Sequence, residues 1–193
     1  MFFRFGVAIL LGALALSGCK KSEKIYLVPI GNAPLAEIND LAAYYQQKFG
    51  VDVKVLPQLN PAYGDFDGER EQLIAEKVTQ TLLNTYSDYR DRKTDVIIGI
   101  TGQDMYPKSQ DWAFCFGWRD QASHAAVAST ARMDLHYPGE PDSEATVRNR
   151  LRKVVTKDVG ILYFDKPQSE NPKSVLYSGI MGIQELDLVS EDF

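Results

Sequence analysis

The segment "DVIIGITG" (residues 95–102) predicts a buried strand, and the segments around it decide the fold class. Its run of Val and Ile is apolar on both faces of an extended chain, as far as Gly99 allows. An apolar strand must be covered by other elements that bury it. The flanking sequence therefore has to supply further strands and helices.

Helices and strands alternate on both sides of this segment. The stretch "PLAEINDLAAYYQQKFG" (34–50) predicts a helix with Pro34 at its first position and Gly50 as its stop. A second helix is predicted over 69–86, where Leu73, Ile74, Val78, Thr81 and Leu82 form an apolar stripe, and a third over 142–160. Further strands are predicted at 24–31, 51–59, 112–119 and 124–133. This alternation predicts a single α/β (α+β) domain, a mixed β-sheet with helices packed on it.

The N-terminus has the three parts of a secretory signal peptide. In "MFFRFGVAILLGALALSGC" (1–19) a single cation, Arg4, precedes an apolar run that is too short to span a bilayer comfortably. The run ends in "LSGC", which resembles the bacterial lipobox and predicts lipidation of Cys19. The alternative is a cleaved signal with Cys19 left as an ordinary thiol. We expect a signal peptide at 1–18, a lipidated terminus and short tether at 19–23, and one domain at 24–193.

Composition and the residues after Cys19 predict where the protein acts. Lipidation would attach the protein to a bacterial membrane. Lys20, rather than an aspartate, follows the cysteine, which resembles the sorting pattern of outer-membrane lipoproteins in diderm bacteria. In such a cell we expect the protein on the periplasmic face of the outer membrane. The formal net charge is −5, with no dominant basic patch, so nucleic acid is not an expected partner.

Several segments together resemble one peptidase family. "KIYLVPIGNAP", "LAAYYQQKFGVDVKVLP", "DVIIGITGQDMY", "FCFGW" and "HAAVASTARM" follow the order and spacing of the archaemetzincins, from Lys24 to the end of the chain. This resemblance implies a compact zinc peptidase of the metzincin type. In that family the third helix carries a His-Glu-x-x-His-x-x-Gly zinc signature, and a methionine turn follows beneath the metal.

The same resemblance implies that the zinc site is degenerate here. Lys157 takes the position of the first histidine, Asp158 that of the catalytic glutamate, and Ile161 that of the second histidine. Phe164 falls at the later glycine, and Leu176 in "KSVLY" falls at the methionine of the turn. The resemblance therefore implies no catalytic residues, no metal and no cofactor.

The chemistry of these residue types agrees with that implication. A metzincin site needs two histidines four apart on one helical face, and a catalytic zinc has three protein ligands. The chain has two histidines, His124 and His136, and neither has a second histidine four residues after it. A lysine is cationic at neutral pH, and isoleucine offers no donor atom. The simplest interpretation of Lys157 and Asp158 is an ion pair on the surface or at the end of the helix.

Two classes of function compete. The first is a non-catalytic lipoprotein that binds a peptide, a protein partner or an envelope component in a peptidase-like groove. The second is a working zinc peptidase with an atypical site, and a structural lipoprotein without a ligand is a third possibility. The binding lipoprotein predicts that one strand within the region 112–133 has a free edge near Lys157 and Asp158. Ile161 and Leu162 would then help fill the space that zinc and its water occupy in the family, and Tyr163 would line that space. The alternative is a closed groove, since an open edge favours aggregation.

The segment "WAFCFGW" (112–118) contains the only cysteine besides Cys19. Cys115 is expected to be a buried, inert thiol, and the alternative is a Cys–His nucleophile with His124. The four aromatic residues of this segment are predicted to share one strand face in the core, and the alternative is an exposed binding platform.

Overall fold

The computed structural model describes residues 23–89, 94–134 and 143–193. Cys19 and the signal segment lie outside the described residues, so their role stays a prediction. No helix in the described part of the chain is long and apolar enough to cross a membrane. The strands are β1 (Lys24–Ile30), β2 (Asp52–Val55), β3 (Phe66–Asp67), β4 (Gln72–Ile74), β5 (Val96–Thr101), β6 (Met105–Tyr106), β7 (Gly117–Asp120) and β8 (Ala125–Ser129). The α-helices are α1 (Leu35–Phe49), α2 (Ala75–Thr85), α3 (Glu144–Leu162) and α4 (Ile183–Leu188).

The main sheet is mixed, as the sequence predicts. Its strand order is β2-β1-β5-β8-β7, in which the first four strands are parallel and β7 runs antiparallel to β8 at one edge. The central strand β5 is buried at all six positions, which confirms the interpretation of residues 95–102. Strands β3, β4 and β6 form a separate small sheet. The described residues form the α/β architecture expected of a single domain with helices on a mixed sheet.

Apolar cores lie on the two faces of the main sheet. One core joins the inner faces of α1, α3 and α4 to alternate residues of the sheet, including Leu27, Ile98 and Ala126. The other joins α2 to the intervening residues, including Val28, Ile97 and Val127. Burying one such aliphatic side chain contributes about 1.5–3 kcal/mol, so the two cores together fix the sheet between the helices.

Helix α1 begins and ends where its sequence indicates. Pro34 stands directly before the first helical residue, and Gly50 caps the C-terminus in the left-handed conformation, with its N–H donating to Gln46 O at 3.1 Å. Glycine adopts that conformation without the strain of a Cβ. The prediction for Gly50 is therefore confirmed.

Four predicted element boundaries are wrong. Residues 69–74 do not belong to a helix: Gln72–Ile74 is β4, and Leu73 N donates to Asp104 O at 2.8 Å. Residues 112–116 are not a strand, and Arg70 donates to the carbonyls of Trp112 and Ala113. The strand predicted over 51–59 ends at Val55, and the one predicted over 124–133 ends at Ser129. For residues 69–74, pairing of β4 with the distant β6 overrides the local helical pattern.

Helix α3 is the element that carries the candidate site. Ser143 caps its N-terminus by accepting a hydrogen bond from Thr146 N at 3.1 Å. Farther along, Arg150 forms an ion pair with Asp187 at 2.7 Å, and Lys153 donates to Asp187 O at 3.0 Å. These buried cations lie at the C-terminal end of α4, where they complement its free carbonyl groups. They hold the last part of the chain against α3.

Candidate functional site

An ion pair joins the edge strand to the inner half of α3. Arg119 Nη1 of β7 donates to Asp158 Oδ1 at 2.7 Å. Asp158 is only 3% exposed, and its second oxygen, Oδ2, is buried without a hydrogen-bond partner among the described residues. Burial raises the pKa of Asp158, and the Arg119 guanidinium opposes that rise. The carboxylate is thus directed at the underside of the strand.

The pleat of β7 places Gly117 and Arg119 on the face that covers α3. A Cβ at Gly117 would lie 3.0 Å from Val154 Cγ1 and 3.8 Å from Asp158 Oδ2. Trp118, between them, packs against the core on the opposite face of the sheet. Because Gly117 has no side chain, the strand and the helix approach each other closely at this point.

Lys157 connects α3 to the segment that follows it. Its Nζ donates to Tyr177 O, so the side chain crosses from the helix to the "KSVLY" segment. Burial lowers the pKa of Lys157, the nearby Arg119 lowers it further, and Asp158 opposes this effect. Lys157 is therefore a half-buried cation whose hydrogen-bond partner in the described structure is a neutral carbonyl.

Ile161 and Gly160 form the rest of the contact with that segment. Ile161 packs with Val175 and Leu176 in a small apolar cluster. A Cβ at Gly160 would lie 2.9 Å from Leu176 Cδ2 and 3.0 Å from a ring carbon of Phe193. The close approach of these side chains thus favours a glycine inside the helix, although glycine weakens a helix by about 1 kcal/mol.

The structure corrects the simplest interpretation of Lys157 and Asp158. They do not form an ion pair with each other on the surface: Asp158 pairs with Arg119, and Lys157 binds Tyr177 O. Arg119 is the site residue that sequence reasoning missed. The available signal was a lone arginine at an alternate position of a short strand, which is a weak signal because most such residues face solvent.

Strand β7 exposes a free backbone edge in the described structure. It pairs with β8 on one side, and no other described strand pairs with it. Ser129 N donates to Phe116 O at 2.9 Å, and the antiparallel pattern alternates from there. The N–H and C=O groups of Gly117 and Arg119 therefore point away from β8, toward the free edge.

A cleft of about 320 Å³ lies beside this edge. Its inner end is formed by Arg119, Lys157 and Asp158, and its walls are mainly apolar. The remaining lining residues are Asp111, Trp112, Ala113, Phe114, Cys115, Phe116, Gly117, Val154, Ile180 and Met181. The cleft beside a free edge that the sequence predicts is present among the described residues, and the closed-groove alternative is wrong for them.

Other expectations for the groove are wrong. Leu162 packs in the main core, and the Tyr163 hydroxyl donates to Glu23 O beside β1, so neither residue lines the cleft. Ile161 fills space between α3 and Leu176 rather than the cleft itself. Val175 and Leu176 of the "KSVLY" segment therefore cover this face of α3.

The aromatic segment 112–118 divides among three environments instead of sharing one face. Phe116 packs in the core with α3, whereas Trp118 packs against the core on the other side of the sheet. Trp112 is 41% exposed and forms the outer wall of the cleft with Phe114. The core prediction is confirmed for Phe116, and Trp112 and Phe114 form part of the cleft wall.

Cys115 is buried, as predicted. Burial raises the pKa of its thiol to about 12, which leaves little thiolate at neutral pH. His124 lies in a turn just before β8, in a left-handed conformation. Among the described residues its Nδ1 is buried without a hydrogen-bond partner, so the structure gives no support for a Cys–His nucleophile.

The residues that the resemblance places at the zinc signature do not fit a zinc ion. Lys157 is already bound to a carbonyl, Ile161 makes apolar contacts, and Leu176 has no donor atom. Within residues 23–89, 94–134 and 143–193, no group of three His, Cys, Asp or Glu side chains could hold a metal ion. His136 lies outside the described residues.

The chain has an archaemetzincin-like fold. The crystal structure of archaemetzincin from Archaeoglobus fulgidus complexed with malonate superposes with a TM-score of 0.70 at 22% identity, over 88% of this chain and 94% of that one. Archaemetzincin from Methanopyrus kandleri gives 0.70 at 21% identity over 92% of both chains. A zinc-dependent peptidase from Methanocorpusculum labreanum gives 0.71 at 20% identity, over 88% of this chain and 95% of that one.

Comparison by sequence adds no relative. No protein-family model matches the chain, and no curated protein matches it significantly. At about 20% identity the structural likeness establishes the fold, and activity has to be argued from the site.

Proposed function

We propose that this protein is a non-catalytic, peptide-binding domain with an archaemetzincin-like fold, held at the bacterial cell envelope by lipid on Cys19. The observation that supports it most is the cleft between α3 and the free edge of β7, whose inner end contains Lys157 and Asp158. The fold keeps a binding groove where the positions of the zinc signature hold residues unsuited to zinc.

Peptide binding is supported by the hydrogen-bonding groups of β7. An extended peptide can add to a sheet edge through main-chain hydrogen bonds, and this mode of binding needs no metal. Gly117 and Arg119 present the required N–H and C=O groups beside a cleft that can accept side chains. Backbone pairing supplies affinity, and the cleft supplies selectivity.

The absence of catalysis follows from what peptide hydrolysis requires. The reaction needs an activated water molecule and groups that stabilise the oxyanion. Asp158 stands where the resemblance places the general base, but one of its oxygens accepts from Arg119 and the residue is almost fully buried. Lys157 donates to a backbone carbonyl rather than into open solvent. Because both side chains are already engaged in these contacts, the arrangement favours peptide binding over peptide hydrolysis.

The alternative function is an active zinc-dependent peptidase with an atypical site. It is favoured by the likeness to the archaemetzincins and to the Methanocorpusculum labreanum zinc-dependent peptidase. That alternative requires ligands other than Lys157 and Ile161, the residues that the resemblance places at the two histidines of the signature. Stoichiometric zinc in the purified mature protein, with zinc-dependent cleavage of a casein substrate, would establish it.

The test of peptide binding uses two substitutions at one position. A display library of linear octapeptides is selected on the purified domain, and the selected peptides are measured against Arg119→Ala and Arg119→Pro. Both variants lose the ion pair with Asp158, but only the proline variant also loses the outward N–H of the edge, and proline is tolerated on edge strands.

We expect Arg119→Pro to bind the selected peptides far more weakly than Arg119→Ala, which shares its loss of the guanidinium group, provided that both variants unfold at similar temperatures. If the library yields no binders, or if the two variants bind the selected peptides equally well, strand addition at β7 is wrong.

A further inference from the structure

The inner end of the cleft carries an excess of positive charge. Arg119 and Lys157 both line it, and the one carboxylate between them, Asp158, is paired with Arg119. The charges that act on Lys157 are those of Arg119 and Asp158, so no further acid of the described structure neutralises it. The other lining carboxylate, Asp111, is exposed at the outer rim.

Lys157 keeps donors for a ligand. An ammonium group has three N–H donors, and the described structure assigns one of them to Tyr177 O. Arg119 likewise has five N–H donors, of which one binds Asp158. An anionic oxygen in the cleft would accept from both cations and would relieve the repulsion between their charges.

The pleat of the edge strand decides which part of a peptide reaches these cations. Residues directly opposite each other on paired strands project to the same face of the sheet. Gly117 and Arg119 project toward α3, so a ligand residue paired with Gly117 also projects toward α3. The ligand side chain would start about 4.8 Å farther out than Gly117, one strand spacing beyond the close contact with Val154 and over the cleft.

The apolar walls strengthen an interaction with charge at this position. Val154, Phe116 and Ile180 surround the inner end, and Trp112 and Met181 stand farther out. A charge-assisted hydrogen bond is stronger where water is partly excluded. A peptide carboxyl terminus lies in line with the backbone, whereas an acidic side chain leaves the sheet on the side of α3, where Lys157 is located.

We propose that the cleft selects an extended peptide with an aspartate or glutamate opposite Gly117, whose side-chain carboxylate is bound by Lys157 and Arg119. This inference rests on the proposed function, because the acidic residue is presented by a strand added to β7. The flanking ligand residues contact the aromatic wall of Trp112 and Phe114.

The experiment selects octapeptides from two display libraries. In one library the random segment lies between Gly-Ser spacers, and in the other it ends in a free carboxyl terminus. Selections are run on the wild-type domain, on Lys157→Gln, on Lys157→Arg and on Lys166→Gln. Lys166 serves as the control because its Nζ lies over the Phe193 ring and does not line the cleft.

We expect one enriched acidic position in the spacer-flanked library on the wild type, Lys157→Arg and Lys166→Gln, and its loss on Lys157→Gln. On the wild type alone, the best peptide with glutamine in place of its acidic residue should bind at least about tenfold more weakly. This comparison of the two peptides tests carboxylate selection even if Lys157→Gln fails to fold.

The outcomes separate this inference from the proposed function. If binders are edge-dependent but carry no acidic preference, or if the acid and amide peptides bind equally, carboxylate selection is wrong and strand addition stands. Binders confined to the free-terminus library would show that the cations hold an α-carboxylate instead. If neither library yields edge-dependent binders, the proposed function itself fails.

Discussion

Arg119 of β7 and Asp158 of α3 form a buried ion pair, with Nη1 and Oδ1 2.7 Å apart, directly beneath the free edge of the main sheet. The pair joins the strand that would receive a peptide to the helix that carries Lys157. Removing one partner of such a pair leaves an uncompensated buried charge, which destabilises a protein by about 3–5 kcal/mol. The geometry of the cleft therefore depends on both residues.

The buried carboxylate predicts a specific pH dependence of stability. Burial raises the pKa of Asp158 in the folded state, so the folded protein binds this proton more tightly than the unfolded chain does. Burying the ionised carboxylate lowers the unfolding free energy. This loss is fully present above the pKa of Asp158 in the folded state and disappears as the pH falls to its pKa in the unfolded chain. Relative to Asp158→Asn, the wild type should thus gain unfolding free energy between neutral pH and about pH 4. Urea unfolding of both proteins measures this, and the opposite slope would show that Arg119 outweighs burial.

Gly160 predicts an unusual response to alanine. Alanine favours a helix over glycine by about 1 kcal/mol, so this substitution normally stabilises a helix interior. Here the added Cβ would lie 2.9 Å from Leu176 Cδ2, and overpacking of this kind costs about 1–3 kcal/mol. We expect Gly160→Ala to lower the unfolding free energy by about 1 kcal/mol.

A double-mutant cycle with Leu176→Ala provides the control, because the smaller side chain removes the shortest contact and leaves those with the Phe193 ring. In that background Gly160→Ala should be less destabilising. If it remains equally harmful there, the contact with Leu176 is not its cause.

Local patterns predicted those parts of this fold that depend on nearby residues. Residues 95–102 contain the central strand β5, because a continuous apolar run is stable only where both of its faces are buried. Gly50 ends α1 because the left-handed conformation of a cap depends on that residue itself. The boundary of α2 was wrong because β4 pairs with the nearby β3 and also with β6, which lies far along the sequence. Helix propensity at 69–74 could not reveal those partners.

The site was harder to predict than the fold. The resemblance identified Lys157 and Asp158, but their partners Tyr177 and Arg119 lie 20 and 39 residues away. Such pairs become neighbours only when the sheet and α3 have packed together. Burial of a charged side chain is likewise a property of the packed structure, which is why the surface ion pair was the wrong interpretation.

Lipidation of Cys19 predicts where the protein is found. Cys19→Ser should abolish incorporation of labelled fatty acid and release the protein into the soluble fraction, because stable anchoring requires acyl chains on this residue. Cys115→Ala is the matched control: its thiol is buried in the domain, so labelling should be unchanged. Membrane fractionation with radiolabelled palmitate measures both. Continued membrane association of Cys19→Ser would exclude the anchor.

Metal removal discriminates most directly between the two functions. Lys157 and Ile161, which the resemblance places at ligand positions, are unsuited to zinc, so the proposed binding domain should fold without metal. The thermal midpoint of the mature protein should be the same with and without EDTA, and elemental analysis should find less than stoichiometric zinc. A bound structural or catalytic zinc would instead stabilise the folded state by mass action, and its removal would lower the midpoint by several degrees. Such a decrease, reversed by added zinc but not by magnesium, would favour the peptidase over the binding protein.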